Sequence, residues 1–149
     1  MNKILYSLLI IISLFVIVGC NYDKENNVQN NLNNSNEVVK SVKAIIDKKE
    51  YIINLESNET VKEFISMLPQ KLKMSELNGN EKYAYLDYVL PTKPTNPKRI
   101  NAGDVMLYDN NCLVIFYKSF NTSYSYTKIG HIDNLPVLDS DTVTVKFEK

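Results

Sequence analysis

NCLVIFYKSFNTSYSYTKIGHI, residues 111–132, is the stretch on which the reading of this chain turns. Six apolar or aromatic residues run without a break from Cys112 to Tyr117. The run is too short for an ordinary helix and rich in β-branched and aromatic side chains, so it predicts a strand covered on both faces. A small-polar corner follows, Ser119 to Ser123, and then an alternating strand, Tyr124-Ser125-Tyr126-Thr127. The two strands are close enough in sequence to pair. Together with the corner they carry five aromatic rings beside several hydroxyls. An apolar floor with hydroxyls at its rim is the usual make-up of a pocket for a small ligand or a peptide. Phe116, Phe120, Tyr124 and Tyr126 are the residues expected to form it. The same composition also fits a Tyr-rich sheet packed on its own core.

The chain outside this stretch falls into three parts. Residues 1–19 form a targeting segment: Lys3 supplies the positive flank, Ile4 to Val18 the apolar core, and Ile17-Val18-Gly19-Cys20 the end. The apolar run is at the short end for a membrane span and no basic stop-transfer flank follows it, so it reads as a signal peptide. Its ending closely resembles the lipobox of bacterial lipoproteins, a family in which the Cys is diacylated and becomes the new N-terminus. The resemblance implies that Cys20 is lipidated and that the protein sits on the cell membrane, facing away from the cytoplasm. Two acyl chains, at roughly 0.8 kcal/mol per buried CH₂, hold a protein on a bilayer where one chain is marginal. Residues 20–37 carry the anchor into a tether. Eight of the seventeen residues from Asn21 to Glu37 are Asn, and only Tyr22, Val28 and Leu32 are apolar. Such a segment cannot bury enough surface to offset the entropy of ordering it. Its r.m.s. span as a flexible chain is roughly 20–25 Å.

Residues 38–149 have the length of one ordinary domain. Without the targeting segment, which takes away Lys3 and no acid, 16 basic residues face 17 acidic ones. There is no basic patch and no interleaved Arg-aromatic pattern, so nucleic acid is not an expected partner. Cys112 is the only thiol left once Cys20 is lipidated, which excludes an intrachain disulfide and leaves the domain to stand on its core. Its place in an apolar run predicts an inert, buried residue.

Most of the domain reads as strand. Ser41 to Asp47 and Tyr51 to Leu55 flank Lys48-Lys49-Glu50 as a hairpin, and Val143, Val145 and Phe147 alternate with Thr144, Lys146 and Glu148. Lys71 to Glu76 places Leu72 and Met74 inward, and Lys82 to Leu86 places Tyr83 and Tyr85 on one side. Gly103-Asp104 leads into Val105 to Tyr108, and Asp109-Asn110-Asn111 turns into the central strand. One helix stands out, Thr60 to Leu68, with Val61, Phe64, Ile65 and Leu68 on one stripe, Asn58 as N-cap and Pro69 as the stop. A second turn of helix is expected at Asn134 to Leu138. Leu90 to Lys98, with three prolines, is an extended loop. Many strands, one main capping helix and no βαβ rhythm make a mostly β fold, a small antiparallel barrel.

The residues restrict the chemistry. His131 is the only histidine, has no nucleophile near it in sequence, and is expected at a strand end facing solvent. Asp139 and Asp141 flank a turn and should be solvated, and no metal, cofactor or phosphate-cradling glycine loop is indicated. Hydrolytic and phosphoryl-transfer catalysis are not expected. Prolyl isomerisation needs neither nucleophile nor metal, only an apolar slot and a donor that lowers an amide-rotation barrier of about 18–20 kcal/mol. Arg99, the only arginine, would be that donor; as a residue of a Pro-rich loop it also fits a plain surface role.

From about Val42 to Glu148 the chain resembles the bacterial cyclophilin-like family, the short relatives of cyclophilin. The likeness rests on NETVKEFISMLP, MSELNGNEKYAYL, LPT followed by INAGDVMLY, and NCLVIFYKSFNTSYSYTKIG. It implies a closed cyclophilin-type barrel with few helices, with Thr60–Leu68 over one mouth and Ile129-Gly130-His131-Ile132 similar to the FGKV strand of true cyclophilins. The cyclophilin pocket carries over poorly. Counted back from Gly130, its histidine falls on Tyr126, its tryptophan on Asn121 and a phenylalanine on Leu113, and this chain has no tryptophan. The resemblance therefore implies the fold and leaves two functions open: a tethered module binding a peptide or small ligand, or a prolyl isomerase assisting exported proteins.

Overall fold

The computed structural model describes residues 38–149. The expected targeting segment, Cys20 and the expected Asn-rich tether lie outside the described residues. Within them, eight strands close an antiparallel barrel: β1 (Ser41–Ile46), β2 (Lys49–Leu55), β3 (Gln70–Leu77), β4 (Glu81–Tyr85), β6 (Asp104–Tyr108), β7 (Cys112–Phe116), β9 (Thr127–Ile132) and β10 (Thr142–Glu148). Around the barrel the order is β1-β10-β3-β4-β7-β6-β9-β2. Two short strands, β5 (Arg99–Ile100) and β8 (Phe120–Asn121), pair outside it.

The period-2 pattern decides which residues point inward. Val42, Ala44 and Ile46 of β1, Val143, Val145 and Phe147 of β10, and Leu113 and Ile115 of β7 all join one core. The hairpin between β1 and β2 is tighter than the sequence suggests. Its turn is Asp47-Lys48, with φ of 46° and 73°, and Lys49 already pairs with Ile46. Two left-handed residues match the twist of the flanking strands, whereas a three-residue turn needs a bulge.

Helix α1 (Glu59–Ser66) covers the end of the barrel where β10 finishes and β3 starts. Asn58 caps it, its side-chain oxygen accepting from the Val61 N–H at 2.9 Å. Phe64 is fully buried and meets Phe147 edge-on at 5.6 Å between centroids. The Asn58 amide donates to the Lys128 carbonyl and the Thr60 hydroxyl to that of Pro91, which fixes the helix to the barrel.

The opposite end is closed by polar groups. Lys82, fully buried, donates to the Glu76 carboxylate and the Ser140 carbonyl, and its ammonium lies 5.2 Å from the Tyr117 ring centre. The Tyr117 hydroxyl also donates to Glu76, at 2.7 Å. A buried ammonium is tolerable only when so fully partnered.

Two expected elements are absent. The strand foreseen at 124–127 does not pair with β7, whose neighbours are β4 and β6. Only Thr127 enters a strand, β9, and Tyr126 instead bridges Thr95 in the proline-rich loop. Both edges of β7 are already occupied, so the next segment has to cross over its outer face. No helix forms at 134–138 either; Asn134 takes φ of 56° and Pro136 removes a donor.

Candidate functional site

Strand β7 is buried along its whole length because it is covered twice. Leu113 and Ile115 face the barrel core, while Cys112, Val114 and Phe116 face outward into a second apolar cluster with Ile100, Met106 and Tyr126. The register carries this outer face sideways: Glu81, Tyr83 and Tyr85 of β4 stand opposite Phe116, Val114 and Cys112, and Met106 and Tyr108 of β6 stand opposite Val114 and Cys112. The segment from Ser119 to Tyr126 folds over this face, held by the pairing of β5 with β8 and by the Thr95–Tyr126 bridge.

Between the outer sheet face and this segment lies a cavity of about 340 Å³. Val114 and Cys112 form its floor, and Tyr83, Tyr85, Tyr108, Phe120, Tyr124 and Tyr126 stand around it. Tyr108 meets Tyr124 at 6.1 Å and Tyr126 at 5.6 Å, and Tyr83 meets Tyr85 at 5.9 Å. Such edge-on and tilted pairs hold one another in place. At one end the β3–β4 turn contributes Leu77, Asn78 and Asn80.

Of the residues expected to line a pocket, Phe120, Tyr124 and Tyr126 do so. Phe116 does not: it is fully buried beneath, touching Phe120 at 5.7 Å and Tyr126 at 5.5 Å, and supports the rings that line it. Arg99 is not among the lining residues either. Its side chain is exposed on β5 and makes one long contact, 3.5 Å, with Asn121.

The lining holds one ionisable acid, Glu81, which sequence reading passed over. Alternation on β4 is the signal that finds it, since Glu81 shares a face with Tyr83 and Tyr85. It is only 8 % exposed, and among the described residues its carboxyl has no hydrogen bond and no ion pair. Burial, reinforced by the nearby Glu76 charge, pushes it up to about 7. Glu76 goes the other way. Burial raises it, but the bonds from Lys82, Tyr117 and the Gly79 N–H outweigh that and leave it lowered. Cys112 is pushed up to about 11 by burial first and then by Glu81 and Asp109, so it stays a thiol and a poor nucleophile.

His131 departs from the expected solvent-facing residue. It is half-buried on β9, with Nδ1 3.1 Å from Oδ1 of Asp104, itself 2 % exposed. The Asp104 carboxylate also accepts from the Asn101 N–H at 2.8 Å. Gly103 makes this approach feasible: its φ is +97°, and a Cβ there would lie 2.1 Å from the Ile132 carbonyl oxygen. The His131–Asp104 pair lies outside the cavity lining. Asp139 and Asp141 are exposed, as expected.

A family model described as the cyclophilin-like family matches residues 44–148, and the chain belongs to that family. No curated protein and no solved structure matches it.

Proposed function

We propose that this protein is a membrane-anchored, extracytoplasmic binding module whose aromatic cavity takes a peptide or a small ligand. The observation that carries the reading is the cavity: about 340 Å³ on the outer face of the barrel, ringed by tyrosines and floored by Val114 and Cys112. That volume, and a wall that mixes aromatic rings with hydroxyls, amides and one carboxyl, suit a ligand of modest size. Anchoring rests on the lipobox ending at Cys20 and on the Asn-rich tether after it.

The isomerase alternative asks for a guanidinium aimed into the cavity. Arg99 is exposed and turned to Asn121, so the binding reading is preferred. An apolar slot without such a donor binds cis and trans peptide alike, and equal binding lowers no barrier. The test is a screen of small fragments and short peptides by thermal shift, with wild-type protein and Tyr124→Ala. The Tyr124 ring is 62 % exposed, so its removal should leave the fold intact. Hits that stabilise the wild type and lose most of that shift in the variant support the reading. Hits indifferent to Tyr124→Ala, or no hits, would overturn it.

A further inference from the structure

We infer that the cavity selects an organic cation, an alkylammonium head group seated among the tyrosines against the Glu81 carboxylate. The inference rests on the binding reading above and narrows it. Its first support is the charge of the wall. The lining contains no lysine, arginine or histidine, and Glu81 is its one charged residue.

The second support is that Glu81 lacks a partner. The Glu81 residue is only 8 % exposed, and a carboxyl in so enclosed a place is normally satisfied by the protein itself. Among the described residues Glu81 has neither a hydrogen bond nor an ion pair, although Lys82 is its neighbour in sequence. Lys82 points to the other face of β4 and is fully engaged with Glu76 and Ser140. Asn80, also in the lining, has a buried side-chain oxygen without a donor. The site therefore offers acceptors that the protein leaves unused, and a cationic ligand would engage them.

The third support is the rings. Tyr108, Tyr124 and Tyr126 form a contiguous group with centroids 5.6 to 6.1 Å apart, opposite the Tyr83–Tyr85 pair. Aromatic faces attract a cation through their quadrupole, and several rings around one ammonium are the recurring means of recognising it. A cation favours the ionised Glu81 carboxylate, whereas a neutral ligand leaves Glu81 to keep its proton and gains no charge pairing. The raised titration of Glu81, caused first by burial and then by the Glu76 charge, is one that a bound cation would reverse.

The head group could belong to a small quaternary amine or to a lysine side chain, and the experiment separates them. The full chain in maltoside micelles is titrated by calorimetry with choline and with 3,3-dimethyl-1-butanol, which replaces the charged nitrogen by carbon at the same shape. A parallel pair is Nα-acetyl-lysine methylamide and its norleucine counterpart, and micelle-only titrations are subtracted. At least one cation should bind roughly tenfold more tightly than its neutral twin, and Glu81→Gln should reduce that ratio to about two or three. Tyr108→Leu, at a ring 43 % exposed, should lower cation affinity while the protein keeps its thermal transition. If cation and twin bind equally, or Glu81→Gln leaves the ratio unchanged, the inference is wrong while the cavity remains a binding site. If neither member of either pair binds and the fragment screen is also empty, both readings fall.

Discussion

Glu81 ties the stability of the molecule to the chemistry of its cavity. Its ordinary value is 4.5 and the fold pushes it to about 7, so the native state holds a proton that the unfolded chain releases between those values. Since the native state binds more protons in that window, the Glu81 contribution is fully present below about pH 4.5 and is lost as pH rises through 7. At one pKa unit to 1.36 kcal/mol, discounted for water at the cavity mouth, the loss is about 2–3 kcal/mol. Glutamine keeps the shape and cannot ionise. Glu81→Gln should therefore match the wild type near pH 5 and exceed it by about that amount near pH 8, in urea titrations at both values. The comparison cancels carboxylates that both proteins share, Glu76 among them, whose lowered value acts in the opposite direction. Equal stability of the two proteins at pH 8 would mean that Glu81 is ionised at little cost.

At the scale of elements, α1 is the piece whose local and tertiary signals agree most fully. Its stripe, its Asn58 cap and its docking on Phe147 all point the same way. Phe64→Ala should cost about 3–5 kcal/mol, because the void lies between a helix and a closed barrel that cannot collapse to fill it. Lys62→Ala, on the exposed face, should stay within about 0.5 kcal/mol even though it removes the 2.6 Å pair with Glu59, since exposed pairs contribute little. Equal losses in a denaturant titration would show that the stripe does not dock the helix. Strands with strict alternation, β10 above all, and the doubly covered β7 were legible for the same reason: one face buried or two leaves a periodic mark in the sequence. Pairing was not. Tyr124 to Thr127 alternates like a strand, yet both neighbours of β7 are set by registers with β4 and β6 that no local pattern records. Nor did Phe116 advertise that it would lie beneath the cavity wall, because its side is fixed by which way β7 faces. Glu81 went unremarked because burial of a carboxylate depends on the segment that later folds across it.

At the scale of the whole chain, the proposed anchor and the domain make separable demands on the two cysteines. Cys20 follows Ile17-Val18-Gly19 and fits the lipobox; Cys112 is buried in β7 with its thiol pushed up to about 11. Acylation needs an accessible cysteine at the processing site, so Cys112 cannot substitute for Cys20. Two chains are also the minimum for lasting attachment, since a single acyl chain gives only marginal membrane binding. Cys20→Ala should therefore abolish incorporation of a radioactive fatty acid and leave a longer, unprocessed precursor. Cys112→Ala should take up label like the wild type and be processed to the same length. Label retained in Cys20→Ala would overturn the lipoprotein assignment. Label lost in Cys112→Ala, in a protein that still folds, would place the modified thiol in the barrel instead.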